Sequence, residues 1–290
     1  MARDDERTPG STGVGVKGHV LCQRTSGDLA IAQLRPSIPE HEIRHHQHDD
    51  MHLVVLLAGH YVSDAVGMPR ICAEPALVFN PPGTEHRDRF RSRDGLFLTL
   101  AMPEARYARL CDGVRPSEHA TRMPRPSLAT ALGLLRELRS WEDSASPLAI
   151  EAIFSELVAD TVARAPDAGG SDSLQRAVER IEDDTRAPPS IRELANIVGH
   201  HPVYLARVFR KRFGVAPSDY LRKRRLHKAV SLIAQRRSLA RAAAELGFVD
   251  ECHLHRSFVA EFGMTPGAFR RLALGRAEVS RIQDARLRRR

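Results

Sequence analysis

Residues 205–272 state one pattern twice, and that repetition limits what the chain can fold into more than any other feature. Leu205, Arg207, Phe209, Phe213, Gly214, Pro217 and Tyr220 return 49 residues later as Leu254, Arg256, Phe258, Phe262, Gly263, Pro266 and Phe269. Upstream, Ile191 to Gly199 (IRELANIVG) returns after 48 residues as Leu239 to Gly247 (LARAAAELG), so the second copy is one residue longer at its turn. Self-similarity at a fixed period marks a duplicated supersecondary unit. Here the unit is helix, turn, helix.

Local signals punctuate both copies. A helix over 173–185 opens the region, and Pro188-Pro189 ends it. Ser190-Ile-Arg-Glu193 is a capping box, Gly199 closes that helix, and Pro202 suits the first position of the next. The helix predicted over 202–213 turns Leu205, Val208, Phe209 and Phe213 inward and Val203, Tyr204, Ala206, Arg207, Arg210 and Lys211 outward. A longer helix over 217–235 carries Leu221, Leu226, Ala229, Leu232 and Ile233 inward and separates the two copies. Asp250 caps a helix over 251–262, and Thr265-Pro266 opens a short last one.

Charge follows the same division. The 290 residues carry a net charge of +8, yet residues 171–290 hold 25 Lys and Arg against 13 Asp and Glu, while the first 170 hold 19 against 23. The basic surplus belongs wholly to the duplicated region, where a polyanion is the expected partner. Four scattered cysteines, Cys22, Cys72, Cys111 and Cys252, have no metal-ligand or redox spacing, and the start MARDDERTPG lacks an apolar signal stretch. No run approaches the roughly 20 apolar residues of a membrane span. These features predict a soluble, cytoplasmic protein with no membrane partner.

The N-terminal half is built differently. Residues 1–16 are polar and predicted to be disordered. From residue 17 to 101 the segments are short: His19 to Arg24, Asp28 to Leu34, His52 to Leu57, Tyr61 to Ala65, Ala76 to Asn80, His86 to Phe90 and Leu96 to Ala101. Gly59 and Asn80-Pro-Pro-Gly83 supply turns, so an antiparallel barrel or sandwich is expected. Leu57, Phe79 and Phe97 are expected to face its interior. Residues 102–165 turn helical, with stripes Leu128, Leu132, Leu135, Leu138 and Leu148, Ile150, Ile153, Leu157, Val158 suited to covering the barrel or pairing two subunits. Residues 166–172 (PDAGGSD) read as a linker, 173–272 as the duplicated domain and 273–290 as a basic tail ending in Arg286 to Arg290.

The second repeat, Leu239 to Asp250 (LARAAAELGFVD) followed by Leu254, Arg256, Phe258, Phe262, Gly263, Pro266 and Phe269, resembles the signature of the AraC/XylS family of transcription regulators. Residues 173–272 match that family's double helix-turn-helix domain in order and spacing, including the one-residue offset. One departure is His201, where a Ser or Thr cap is usual. The resemblance implies a two-domain protein, an all-β cupin-like sensing barrel followed by an all-α DNA-binding domain. It also implies double-stranded DNA, a small-molecule or metal effector, RNA polymerase and a second copy of the chain as partners. A helix-turn-helix lays the start of its second helix against base edges in the major groove. The expected reading residues are therefore Val203, Tyr204, Ala206 and Arg207, continued by Arg210 and Lys211, and Glu251, Cys252, His253, His255 and Arg256. Arg can bridge guanine O6 and N7, Glu can accept from cytosine N4, and Val or Ala can meet a thymine methyl. Lys211, Arg212 and Arg222 to Arg225 are read as phosphate contacts, which position without specifying.

His46 and His48 sit two apart, on one face of a strand, with His52 four residues on and Pro81-Pro-Gly83-Thr-Glu-His86 later. This is similar to the two short motifs of the cupin barrel, in which two His, a Glu and a last His bind metal; here His52 stands at the Glu position. Four imidazoles suit zinc, iron, nickel or copper, so a divalent transition metal on His46, His48, His52 and His86 is the candidate cofactor. The bland alternative is a set of rim histidines satisfied by hydrogen bonds. A metal-dependent cupin enzyme fused to a DNA-binding domain is the alternative function. No general acid/base pairing or phosphate loop accompanies the histidines, and the duplicated domain would be idle in an enzyme. A regulator, not an enzyme, is the reading that uses both halves.

Overall fold

The computed structural model describes residues 18–37, 45–68, 72, 75–91, 95–113, 115–123, 127–162, 172–183, 190–213 and 215–275. The expected disordered start, the Arg286 to Arg290 tail and all of the expected linker but Asp172 lie outside the described residues. The chain divides into two compact units, residues 1–163 with 270–290 and residues 164–269, which are described separately.

The first unit contains strands β1 (His19–Ser26), β2 (Leu29–Arg35), β3 (His46–Gln47), β4 (Met51–Ala58), β5 (Tyr61–Val62), β6 (Ala76–Asn80), β7 (Glu85–His86), β8 (Arg89–Phe90), β9 (Leu96–Met102) and β10 (Thr121–Arg122). Six of them form an antiparallel sheet in the order β1-β2-β9-β4-β6-β10, and two ribbons, β3-β7 and β5-β8, complete the β structure. Strands β2, β4, β6 and β9 are buried along almost their whole length on both faces, which is why they read as continuous apolar runs rather than as alternation. Ala30, Ala32, Leu34, Val54, Leu56, Val78, Phe97 and Ala101 form one face and pack with Tyr61, Cys72 and Phe90 of the β5-β8 side; this is the interior of the domain.

Helices α1 (Glu104–Leu110), α2 (Ser127–Arg139) and α3 (Ser146–Val162) follow. Helix α2 packs on β1, β2, β6 and α3, so Leu128, Leu132, Leu135 and Leu138 are buried as expected, and Ala131 and Leu134 join them. The expected stripe on α3 needs correction. Leu148 is 68% exposed, because it lies two residues, about 200° around the helix, from Ile150. Phe154, one turn beyond Ile150, is buried with Ile150, Leu157 and Val158. The expected inward set of the barrel also changes. Phe97 is interior, but Phe79 alternates onto the helix side, where its ring meets Tyr107 of α1 at 5.9 Å and Tyr107 meets Phe154 of α3 at 6.2 Å. Leu57 sits in a register shift between Leu56 and Ala58.

The second unit is helical: α4 (Asp172–Asp183), α5 (Ile191–Val198), α6 (Pro202–Phe213), α7 (Pro217–Ala234), α8 (Leu239–Glu245) and α9 (Glu251–Phe262), with the start of α10 (Pro266–Leu274). Both halves of the capping box form at Ser190 and Glu193, and Gly199 ends α5 at φ 71°, a left-handed conformation that glycine adopts without strain. Hydrogen bonding from the Ser190 amide and hydroxyl holds the exposed Glu193 carboxyl below its ordinary range. Asp250 caps α9 by accepting from the His253 amide at 2.6 Å. The unusual His201 also acts as a cap: its Nδ1 accepts from the Val203 amide at 3.3 Å, so an imidazole replaces the usual hydroxyl.

Two cores repeat the sequence pattern. Leu205 and Phe209 pack with Leu174, Ala177, Ile181, Leu194 and Val198. In the second copy Phe258 meets Phe262 at 4.6 Å and Phe269 at 5.9 Å, and all three rings are buried with Leu254. Between the copies runs α7, 18 residues and so about 27 Å long.

Candidate functional sites on the paired helices and in the β domain

The faces of α6 and α9 turned away from these cores carry the residues expected to read DNA. On α6, Tyr204, Arg207 and Arg210 are exposed, Val203 is 70% exposed and Ala206 is half-buried; the Lys211 side chain lies outside the described residues. The Arg207 guanidinium lies 5.7 Å from the Tyr204 ring centroid, a cation–π pair, and the His200 ring meets Tyr204 edge-on at 5.1 Å. On α9, Glu251, Cys252, His255 and Arg256 are exposed. His253 is half-buried, its ring edge-on to Phe248 at 5.3 Å, which gives it a packing role beside any reading role. Val249 lies outside the expected reading set. It is 86% exposed and immediately precedes the Asp250 cap, where a helix meets base edges. Its signal was a β-branched apolar residue outside the inward register, directly before a cap.

The basic run Arg222 to Arg225, expected to contact phosphates, is partly engaged within the unit. Lys223 Nζ pairs with Glu261 Oε1 at 2.9 Å, joining α7 to α9, and Arg225 Nη1 donates to the Gly247 carbonyl at 3.2 Å at the turn of the second motif. Arg224 is buried, and burial pushes its guanidinium down to about 10. Only Arg222 of the four is exposed, and it pairs with Asp219 at 3.2 Å.

In the first unit a tight turn assembles the histidines. The Thr84 hydroxyl and amide both donate to the Pro81 carbonyl, at 2.6 and 3.2 Å. The Gly83 amide donates to the His48 carbonyl at 2.9 Å, with Gly83 at φ 80°. Gln47 Nε2 returns a bond to the Gly83 carbonyl at 3.2 Å. This brings β7 alongside β3 with His86 opposite His46. Ring centroids lie 4.7 Å apart for His46 and His48, 4.8 Å for His46 and His86, and 5.2 Å for His48 and His86. One nitrogen from each of the three lies within 4.8 Å of the others.

The expected fourth ligand does not join this group. His52 is fixed in β4 opposite Asn80 and Ala101, and although its ring is 4.2 Å from that of His48 it stays outside the set of three. Burial, then the charges of His52, His46 and His86, push His48 down to about 3. Burial also lowers His86, against the pull of Asp88. Both are neutral at pH 7, the form of imidazole that binds metals. His86 Nε2 lies 3.5 Å from Asp88 Oδ2, while its Nδ1 is buried with no hydrogen-bond partner. Three imidazoles, one steadied by a carboxylate with its other nitrogen unsatisfied, fit a divalent transition metal.

Comparison with known proteins places both halves. The profile described as an AraC-like ligand binding domain matches residues 29–158, and one described as a helix-turn-helix domain matches residues 194–272. The regulatory protein SoxS of Salmonella typhimurium is 33% identical over 98 residues, which cover 33% of this chain and 92% of SoxS. The chain belongs to the AraC/XylS family. A relative matching across both halves of this AraC/XylS regulator is XylDLEGF operon transcriptional activator 3 of Pseudomonas putida, 25% identical over 234 residues, 74% of this chain and 70% of the activator. A solved AraC-type regulator from Chromobacterium violaceum aligns at 28% identity and a TM-score of 0.36, covering 38% of this chain and 98% of its own. Family membership makes the chain a transcription regulator with a ligand-binding domain and a DNA-binding helix-turn-helix domain, not a metal-dependent enzyme. Among the described residues no helix is long and apolar enough to cross a membrane.

Proposed function

We propose that this AraC/XylS regulator reads two unlike DNA boxes about one helical turn apart, through α6 and α9, and that a small molecule held in the β domain alters that reading. The observation that carries this is the pairing of like cores with unlike faces. Leu205 and Phe209 correspond to Leu254 and Phe258, whereas Val203, Tyr204 and Ala206 correspond to Cys252, His253 and His255. Arg207 and Arg256 occupy one register, both exposed, and each is suited to bidentate contact with a guanine. Arg256→Ala is expected to lower affinity for the specific site by about 1 to 3 kcal/mol and to relax selection at one base pair. Binding selections on randomised duplexes would show it; equal loss on every sequence would reduce Arg256 to a phosphate contact.

The same reading places the protein in the cytoplasm with the DNA and gives it RNA polymerase as a partner, in keeping with the operon activators it resembles. Self-association remains part of the proposal, by a changed surface. The leucines of α2 are enclosed within the unit, so a second copy would meet the outer face of α3 at Leu148. The chain is expected to sediment as a dimer at micromolar concentration and Leu148→Glu as a monomer. A monomeric parent chain would rule this out.

A further inference from the structure

Helix α9 is preceded by an apolar side chain that folding does not account for. Val249 stands immediately before the Asp250 cap, a position whose apolar side chain commonly packs on the fourth residue of the helix and fixes the entry of the chain. Here that fourth residue is Leu254, fully buried, while Val249 is 86% exposed, so the two form no such staple. Phe248 takes the packing role instead: it is buried, and the His253 ring meets it edge-on at 5.3 Å. An isolated exposed valine would need no explanation. Val249 is not isolated in kind. Among the described residues six large apolar side chains are exposed, and three of them, Val203, Tyr204 and Val249, stand at the starts of α6 and α9.

Charge decides which part of a duplex such a side chain meets. No Lys or Arg occurs in residues 200–206 or 248–255, and the first cations of the two helices are Arg207 and Arg256. Val249 is followed by two carboxylates: Asp250, which accepts from the His253 amide at 2.6 Å, and Glu251, which is exposed. Carboxylates are repelled by the phosphate backbone, whereas one aimed at a base edge accepts from cytosine N4. This segment is therefore suited to the floor of the major groove, and there the apolar group on offer is the 5-methyl of thymine. We propose that Val249 contacts the 5-methyl group of one thymine in the box read by α9 and so sets the preference at that base pair. This rests on the reading of α9 as a DNA-reading helix.

The test uses the full-length chain and the duplex that emerges from selection on a randomised pool. Each thymine of that duplex is replaced in turn by uracil, which keeps the base pairing and removes the methyl group. For the parent chain, one replacement in the α9 box lowers affinity about fourfold, the effect of one buried group of that size. For Val249→Ala, thymine and uracil at that position bind alike, while selection at the α6 box and the thermal midpoint are unchanged. Val249→Ile keeps the preference for thymine. A lowered midpoint for Val249→Ala would make Val249 a packing residue and overturn the proposal, as would equal weakening on every sequence. A preferred sequence whose thymines are all indifferent to Val249→Ala sinks this proposal alone. Selection that yields no preferred sequence sinks the reading of α9 itself.

Discussion

Between 50 and 200 mM salt, specific DNA affinity is expected to fall by about 10³-fold, with a log–log slope near −5 if about six phosphates are neutralised. The surplus of positive charge in residues 171–290 motivates the size of the effect, and the exposed positions of Arg207, Arg210 and Arg256 place part of it on the reading faces. Each phosphate contact releases condensed counterions, and that release weakens as bulk salt rises. Fluorescence anisotropy with a labelled duplex at four salt concentrations gives the slope. The structure adds a sharper requirement than net charge does. Arg210→Ala should make the slope shallower by about one. Lys223→Ala should leave the slope unchanged, because Lys223 is tied to Glu261; its effect belongs to stability. A slope near zero, or an equal change for both variants, contradicts the assignment of charges to faces.

The contrast between Arg210 and Lys223 shows where the sequence is transparent and where it is opaque. Helix limits in the second unit were legible because their causes are local: Ser190 and Glu193 cap from three residues apart, Pro202 and Pro217 open helices, and Gly199 and Gly263 close them in the left-handed region. The roles of Lys223 and Arg225 were not legible. Their partners, Glu261 and Gly247, lie 38 and 22 residues away, and only the packing of α7 on the second motif brings them together. In the β domain the five longer strands, β1, β2, β4, β6 and β9, are legible as apolar or β-rich segments, whereas β3, β10 and the sorting of Phe79 from Phe97 depend on register, which one residue inverts. The histidines show both cases. Spacing brought His46, His48 and His86 into view, but spacing alone could not separate His52, which faces the same region from a different strand. In the sequence Asn80 looks like a turn residue beside Pro81-Pro-Gly83, and its buried, unsatisfied amide appears only once β6 is paired with β4.

Effector and DNA binding must be reciprocal if both bias one equilibrium: any factor by which a ligand changes DNA affinity is the factor by which DNA changes ligand affinity. For that coupling to operate, each helix-turn-helix copy has to hold its reading helix rigidly, and the cores decide this.

Phe258→Ala is expected to cost about 3 to 5 kcal/mol, a large fraction of the roughly 5 to 15 kcal/mol available to a whole domain. The ring is fully buried against Phe262 and Phe269, so its removal leaves a cavity where α9 meets α10. The loss should be local. Phe209 and its neighbours on α4, α5 and α6 form a separate cluster that does not include Phe258, and Tyr220 and Leu221 at the start of α7 belong to that first cluster. Hydrogen exchange should therefore show amides of α9 losing protection while those of α5 and α6 keep it. On DNA the variant should still recognise the box read by Val203, Tyr204 and Arg207 and lose selection at the box read by Glu251, His255 and Arg256. Phe209→Ala should give the mirror result. If either substitution removed protection and selection from both copies alike, the two motifs would share a single cooperative core, and the repeat would be two reading faces on one folding unit.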